Sequence, residues 1–232
     1  MTETRQPLVQ GLMSSFAADI AVTIGRDARD TEARYPLRVV NDLLFATIDG
    51  RVALIDTGSP VTFGAGDGIA DDIHAEIVEF VGKEFDYLLG LDVLGTRELV
   101  FDVAAGWLEI GADSSTRWSP RIAARAAGHR LRCIVDTGAS ISYLPRHVVD
   151  GLPVTGRFGD FYPRAGRFEV ETRDCTIDLG ALRYTDRAAE IPPVVQPLSE
   201  GVDGIVGNRL VRAHRLRMGP AGLDLAACGT AE

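Results

Sequence analysis

The sequence carries the tripeptide Asp-Thr-Gly twice, at residues 56–58 and 136–138. Two carboxyl groups held about 3 Å apart cannot both ionise readily, so such a pair shares one proton. The ionised carboxylate can take a proton from water, and the protonated carboxyl can donate one to a carbonyl oxygen. If the fold brings Asp56 and Asp136 together, the two copies predict general acid–base hydrolysis, which requires no metal ion, histidine or cysteine.

The residue that follows each tripeptide differs between the two copies. Ser59 follows the first copy, whereas Ala139 follows the second. A serine hydroxyl at this position can hydrogen-bond the neighbouring carboxylate and favour its charged form. We therefore expect Asp56 to be the ionised member of the pair and Asp136 the protonated one, although the two groups titrate as a unit.

Each tripeptide lies at the end of an apolar segment. Residues 53–55 and 133–135 are apolar on both faces, as buried strands are. Each segment follows a glycine turn, so we expect two β-hairpins whose second strands end in the aspartates. Gly58 and Gly138 would then allow the backbone to come close to a substrate or to the other loop.

Two further elements repeat after each tripeptide. Residues 87–94 and 204–211 share an apolar pair, a glycine and further apolar residues. Residues 99–110 and 214–225 each have the pattern of a hairpin with a glycine turn. Because the three elements keep the same order in both halves, the sequence predicts two related lobes.

The predicted lobes are joined by a short polar stretch. We assign residues 1–112 to an N-terminal lobe that contains the first tripeptide and residues 121–232 to a C-terminal lobe that contains the second. Residues 113–120 are polar and turn-rich, which is typical of a linker.

The two halves differ in the segments that separate their shared elements. In the first half, apolar residues recur every four positions from Ile69 to Val81, after a possible N-cap at Asp67 and before Gly82. This spacing predicts a short amphipathic helix. In the second half, aromatic and β-branched residues flank a Pro-Arg-Ala-Gly turn within residues 157–171, which predicts an extended hairpin.

Taken together, these motifs resemble the retropepsin and pepsin clan of aspartic peptidases, with both Asp-Thr-Gly motifs in a single chain. The resemblance covers roughly residues 37–225 and depends on six elements in the right order. It implies a mainly β fold of two pseudo-symmetric, retropepsin-like β-barrel lobes with a few short helices. It also implies that Asp56 and Asp136 are the catalytic dyad.

The resemblance also assigns roles to the residues around the dyad. In this family the two threonines cross-link the loops beneath the aspartates, and the apolar-apolar-glycine segments pack under those loops. By resemblance, the residues that support the active site are Thr57, Gly58, Ser59, Thr137, Gly138 and Ser140.

Family members close a β-hairpin flap over the substrate. Pepsins carry this flap on the N-terminal lobe, but the segment between Ser59 and Gly90 leaves no room for one. The hairpin expected in the second half is therefore the candidate flap, carried by the opposite lobe. Its candidate flap residues are Phe161, Tyr162 and Gly166.

The activity that the resemblance implies is that of an aspartic endopeptidase acting on a peptide or protein substrate. The alternative is a catalytically inactive peptide-binding module of the same fold. The protein is expected to be a monomer or a homodimer, and in a homodimer the single flap could be contributed across subunits.

Composition narrows the possible partners. The net charge of −9 disfavours binding to nucleic acid or to anionic lipid, so we expect neither nucleic acid nor a membrane as a partner. Cys133, Cys175 and Cys228 form no C-x-x-C motif, so no metal and no cofactor is expected. The sparse cysteines fit a reducing compartment, and neither a signal peptide nor a long apolar run is evident, which predicts a cytoplasmic protein.

Overall fold

The computed structural model describes residues 33–65, 71–114, 116–163, 166–180, 182–195 and 201–227. Most of these residues lie in β-strands, and the helices are few and short. The prediction of a mainly β fold is confirmed.

The first half of the chain contains seven strands and two helices among its described residues. The strands are β1 (Ala33–Val40), β2 (Leu43–Ile48), β3 (Arg51–Ile55), β4 (Phe63–Gly64), β5 (Tyr87–Leu89), β6 (Arg97–Asp102) and β7 (Trp107–Asp113). The helices are α1 (Asp71–Val81) and α2 (Leu91–Leu94).

The second half contains nine strands and two helices within the part that the structure describes. The strands are β8 (Arg121–Ala126), β9 (His129–Val135), β10 (Ser142–Leu144), β11 (Val154–Tyr162), β12 (Gly166–Leu179), β13 (Leu182–Glu190), β14 (Gly204–Val206), β15 (His214–Gly219) and β16 (Gly222–Ala227). The helices are α3 (Arg146–Val149) and α4 (Arg209–Ala213).

The hairpins that lead to the two tripeptides have the same tight turn. Asp49 and Gly50 have φ values of 48° and 76°, and Ala127 and Gly128 have φ values of 46° and 85°. Two positive φ values are what a two-residue type I′ turn requires, and this turn matches the twist of the flanking strands. The glycine turns predicted before both aspartates are therefore confirmed.

A parallel strand pair then positions each aspartate. β3 runs parallel to β5 in the first half, and β9 runs parallel to β14 in the second half. The pairing continues past the strand ends, because the N–H of Asp56 donates to the carbonyl of Leu89 at 3.0 Å and the N–H of Asp136 donates to that of Val206 at 2.9 Å. Each apolar-apolar-glycine segment thus lies directly beside the loop that follows an aspartate.

The described strands form two sheets. One has the order β16-β15-β6-β7-β1-β2-β3-β5-β4, and the other has the order β11-β12-β13-β10-β14-β9-β8. A further pairing between β12 and β8 closes six strands of the second sheet into a barrel. Strand β15 pairs with β6, so the β15–β16 hairpin extends the sheet of the first half. The division into lobes at residues 113–120 stays a prediction.

Helix α1 packs its apolar face against the first sheet. Ile77 and Val81 are buried in a cluster with Phe45 and other residues of that sheet. The helix ends before Gly82, whose φ of +67° and N–H bond to the carbonyl of Val78 at 2.9 Å terminate it. The predicted helix is confirmed from Asp71 onwards, whereas its predicted N-cap and first turn lie outside the described residues.

Two of the three cysteines lie within the described residues. The thiols of Cys133 and Cys175 are free and buried, and burial raises the pKa of the Cys133 thiol to about 12. Cys228 lies outside the described residues. Among the helices that the structure describes, none is both long and apolar enough to cross a lipid bilayer.

Candidate active site

The two loops that follow the aspartates are bonded to each other through their threonines. The N–H of Thr57 donates to Oγ1 of Thr137 at 2.9 Å, and the N–H of Thr137 donates to Oγ1 of Thr57 at 3.1 Å. Each hydroxyl in turn donates to a carbonyl of the opposite half, Thr57 to Val135 at 2.7 Å and Thr137 to Ile55 at 2.8 Å. Both threonines are fully buried, so these bonds are shielded from water.

This cross-link brings each aspartate against the glycine of the other loop. A Cβ atom added to Gly58 would lie 2.2 Å from Cγ of Asp136, and one added to Gly138 would lie 2.5 Å from Cγ of Asp56. Only glycine allows an approach this close, since real Cβ atoms do not come within 3.0 Å of such atoms. The two carboxyl groups are therefore held side by side, each against the glycine that follows the other aspartate.

The carboxyl group of Asp56 receives two backbone hydrogen bonds. The N–H groups of Gly58 and Ser59 both donate to its Oδ1, each at 2.9 Å. Donation to a carboxylate stabilises its charged form. Asp56 is thus the member of the pair whose environment supports a negative charge.

The carboxyl group of Asp136 has weaker backbone support. Its Oδ1 accepts from the N–H of Gly138 at 2.8 Å. The next N–H, that of Ala139, donates at 3.3 Å to the backbone carbonyl of Asp136 instead of to its side chain. Asp136 is also more deeply buried, with 6% of its surface exposed.

These differences separate the proton affinities of the two groups. Burial raises the pKa of Asp56, while the N–H groups of Ser59 and Gly58 oppose that rise. Burial raises the pKa of Asp136 well above its usual range, and the charge of Asp56 raises it further. The backbone hydrogen bonds to Asp56 and the charge of Asp56 beside Asp136 both act in the direction that favours the proton on Asp136.

The expected assignment of charge stays a prediction, whereas the expected cause, a bond from the Ser59 hydroxyl to Asp56, was wrong. The hydroxyl of Ser59 donates to the carbonyl of Val61 at 2.8 Å and does not bind Asp56. The contribution of Ser59 comes from its backbone N–H, which any non-proline residue supplies. The extra bond to Asp56 reflects the conformation of the first loop and not the serine side chain.

A hydroxyl braces the underside of the first loop. Thr62 accepts from the N–H of Gly90 at 2.9 Å and donates to a carboxylate oxygen of Asp92 at 2.7 Å. A Cβ at Gly90 would lie 2.4 Å from the carbonyl oxygen of Val61, so the strand pair packs here without space for a side chain.

The second loop has an equivalent brace with a different acid. Ser142 accepts from the N–H of Gly207 at 3.1 Å and donates to the buried carboxylate of Asp186. A Cβ at Gly207 would lie 2.6 Å from the carbonyl of Ile141. Sequence reasoning missed these braces, although Thr62 and Ser142 stand at the same distance after their aspartates and both carry a hydroxyl.

Ser140, which was predicted to support the active site, takes no part in the hydrogen bonds that hold the two loops. It is half-buried just after the second loop. Within the part of the chain that the structure describes, its side chain makes no hydrogen bond.

Strands β11 and β12 form the hairpin predicted as a flap, and its end reaches the helix of the opposite half. Phe161 stacks on Phe80 of α1 with ring centroids 5.4 Å apart. Tyr162 is half-buried and packs against a small apolar cluster that contains Ile141. Gly166 begins β12 with a φ of +79°, at the tip of the hairpin.

The segment that follows β14 also contacts the first half. The side-chain amide of Asn208 donates to the carbonyl of Asp42 at 2.6 Å and to that of Thr137 at 3.2 Å. Arg212 pairs with the carboxylate of Asp42 at 2.6 Å. Among the described residues, no group of three histidine, cysteine or acidic side chains is arranged to hold a metal ion.

Comparison with known proteins identifies no family for this chain. No family model matches the chain, and no curated protein sequence matches it. Among solved structures, the chain is similar to the solution structure of the Simian Foamy Virus (mac) protease, with 12% identity and a TM-score of 0.30 over 38% of this chain and 88% of that chain. A similarity at this level assigns no role to any residue of this chain.

Proposed function

We propose that this chain is an aspartic endopeptidase that hydrolyses peptide bonds between Asp56 and Asp136. The observation that carries the proposal is the reciprocal bonding of Thr57 and Thr137, which brings the two carboxyl groups into contact. A buried pair of carboxyl groups with unequal proton affinities is the arrangement that general acid–base hydrolysis needs.

In the proposed reaction, the two aspartates exchange their roles and return to their starting states. Asp56 takes a proton from water as the water oxygen attacks the carbonyl carbon of the peptide. Asp136 gives its proton to the carbonyl oxygen, which produces a neutral tetrahedral diol. Asp56 then donates its proton to the leaving nitrogen as the C–N bond breaks, and a diol proton returns to Asp136.

Peptide substrates fit the strand arrangement around the dyad. β11 is the outermost strand of the second sheet among the described residues, so one of its edges has no strand partner there. Such an edge can add an extended peptide as a further strand, which binds substrate mainly through its backbone. We therefore propose an extended peptide or an unfolded protein segment as the substrate.

The test uses the purified full chain with a diverse peptide library from about pH 3 to pH 8, a range that includes the upper pKa of such carboxyl pairs. Cleavage should fall by about 10²–10⁴-fold in Asp56→Asn and in Asp136→Asn, the loss typical of a missing general acid or base. Asp174→Asn is the matched control, because Asp174 is exposed on β12. A wild-type protein that binds peptides but cuts none would instead support a peptide-binding module.

A further inference from the structure

The β11–β12 hairpin extends beyond the sheet that supports it. β12 pairs with β13 only from Thr172 to Leu179, whereas β12 pairs with β11 from Gly166 onwards. The outer part of the hairpin is therefore a two-stranded arm. In the sheet order, β12 and β13 separate β11 from β10, which corresponds to about 14 Å on a flat sheet.

Despite this separation, the arm contacts β10 through a side chain. The hydroxyl of Tyr143 on β10 donates to Oδ2 of Asp160 on β11. Oδ1 of Asp160 accepts from the N–H of Phe161 at 2.8 Å, so both carboxylate oxygens are bonded. Tyr143 is 2% exposed, so the arm folds back over β10 and covers this hydrogen bond.

The pair also lies beside the dyad. Burial raises the pKa of the Tyr143 hydroxyl, and the charges of Asp160 and Asp136 raise it further. Burial and the charge of Asp56 are the main causes of the raised pKa of Asp136, and the charge of Asp160 adds to them. The charge of Asp160 thus contributes to the raised pKa of Asp136, and the charge of Asp136 contributes to that of Tyr143.

The arm has a second attachment, on the other half of the chain. In addition to the Phe161–Phe80 stack, the guanidinium of Arg167 lies 5.4 Å from the centre of the Phe80 ring. Arg167 also pairs with Glu79 at 3.6 Å. The arm therefore spans from β10 in the second half to α1 in the first half.

We propose that Tyr143 and Asp160 are positioning residues for the hydrolysis proposed above: their hydrogen bond holds the β11–β12 arm at a fixed height over the dyad. A peptide that pairs with β11 is then presented to Asp56 and Asp136 in one register. The inference depends on the proposed function for its kinetic consequence, but the placement of the arm can be measured without any substrate.

The first experiment measures hydrogen exchange of the arm in the full chain. Tyr143→Phe removes only the hydroxyl, so amides of residues 158–162 and 166–170 should exchange about 3- to 10-fold faster, the factor expected for one net hydrogen bond. Tyr184→Phe is the matched control in the same sheet, because its buried hydroxyl has no hydrogen-bond partner among the described residues. Equal exchange in both variants would overturn the proposal.

The second experiment separates positioning from general stabilisation. In Tyr143→Phe, KM for a cleaved peptide should rise by about 3- to 10-fold while kcat changes less than about twofold, because the cross-link between Thr57 and Thr137 does not involve Tyr143. Asp160→Ala should raise KM to the same extent, and Asp160→Asn, which keeps an acceptor oxygen, should restore most of this loss. Because both variants remove a charge that raises the pKa of Asp136, the variants are compared at the optimum pH of each.

The double variant Tyr143→Phe, Asp160→Ala measures whether the two residues act through each other. If the two residues act only through each other, the double variant should be no worse than either single variant. Effects that simply add, or a loss confined to kcat, would overturn the positioning role. A wild-type protein that cuts no peptide would overturn the proposed function, and the exchange measurement would still decide whether the pair holds the arm.

Discussion

The backbone N–H groups of Thr57 and Thr137 each donate a hydrogen bond to the hydroxyl of the other threonine. Each hydroxyl in turn donates a hydrogen bond to a carbonyl group of the opposite half. Neither loop can reach this geometry alone, because each buried N–H finds its acceptor on the other loop. The position of each carboxyl group thus depends on the opposite half of the chain as well as on its own strand pair.

Replacing one of these threonines should therefore affect both loops. Thr137→Val keeps the shape of the side chain but leaves the N–H of Thr57 buried without an acceptor, which costs about 1–3 kcal/mol of unfolding free energy. Urea unfolding measures this loss, and peptide cleavage should fall with it. Thr137→Ser should retain most of both properties, and Thr185→Val, at an exposed position of β13, should change stability by less than about 0.5 kcal/mol.

The glycines of the two tripeptides should tolerate no side chain. In Gly58→Ala the new Cβ would lie 2.2 Å from Cγ of Asp136, so the carboxyl group must move away from Asp56. A displacement of about 1 Å at a reacting group can reduce the rate about 10²-fold, and we expect at least that loss in kcat. Gly151→Ala is the matched control, because nothing lies within 4 Å of its added Cβ. Full activity in Gly58→Ala would show that the two carboxyl groups do not act as a contacting pair.

The raised pKa of Asp136 makes a prediction about stability and pH. Since the folded protein binds this proton more tightly than the unfolded chain, stability falls as the pH rises from the ordinary value of 3.8 towards the folded pKa. Asp136→Asn has no proton to release on unfolding, so its Tm should exceed that of the wild type near neutral pH, by about 2–4 °C per kcal/mol. The difference should vanish below the ordinary pKa.

Asp203 provides a control for this experiment, because its pKa is shifted in the opposite direction from that of Asp136. Its pKa is lowered by the hydrogen bonds and charge of Arg132, so it contributes stability above its ordinary pKa that is lost as the pH falls. Asp203→Asn should therefore lower Tm near neutral pH. If both variants shift Tm in the same direction, burial of Asp136 is not the cause of the stabilisation.

The contact between Phe80 and Phe161 should be visible as a coupling energy. In a double-mutant cycle with Phe80→Ala and Phe161→Ala, we expect a coupling of about 0.5–1.5 kcal/mol in the protection of the arm from hydrogen exchange. The matched cycle pairs Phe161→Ala with a change at Phe101, which is buried in another cluster, and its effects should add. Additive effects in the first cycle would mean that the ring stack does not hold the arm.

Local sequence patterns predicted those parts of the molecule that depend on neighbouring residues. The hairpins that end in Asp56 and Asp136 follow from apolar runs and glycine turns, because strand formation and turn type are local properties. The repeated order of elements indicated that two similar loops exist. Helix α1 followed from the spacing of its apolar residues in the same way.

Contacts that depend on the curvature of a sheet could not be predicted from such patterns. Tyr143 and Asp160 lie on strands that are not neighbours in the sheet, so their meeting depends on how far the arm folds back. The bond between Asn208 and the carbonyl of Asp42 joins distant parts of the chain and depends on how the halves pack. The contact of the Ser59 hydroxyl was also not predictable from the sequence. A hydroxyl in this position can rotate towards the Asp56 carboxylate or towards a backbone carbonyl, and here it donates to the carbonyl of Val61.

The sequence of α1 contains one indication of where the arm docks, the aromatic residue Phe80. Phe80 lies at the edge of the apolar stripe of α1 that contains Ile77 and Val81, and it is only half-buried. A large aromatic residue beside such a stripe indicates a second contact surface on the helix. Here that surface receives Phe161.

The pairing of β15 with β6 imposes an order of events during synthesis on the ribosome. Strand β6 emerges long before β15, and at ordinary elongation rates it remains without this partner for about 5–20 s. During that interval its open edge can pair with another nascent chain. Asp136 likewise lacks its backbone partner until Val206 has been made. A growing chain therefore carries both aspartates without a finished site while about 70 further residues are made, and it completes that site only after Val206 has emerged.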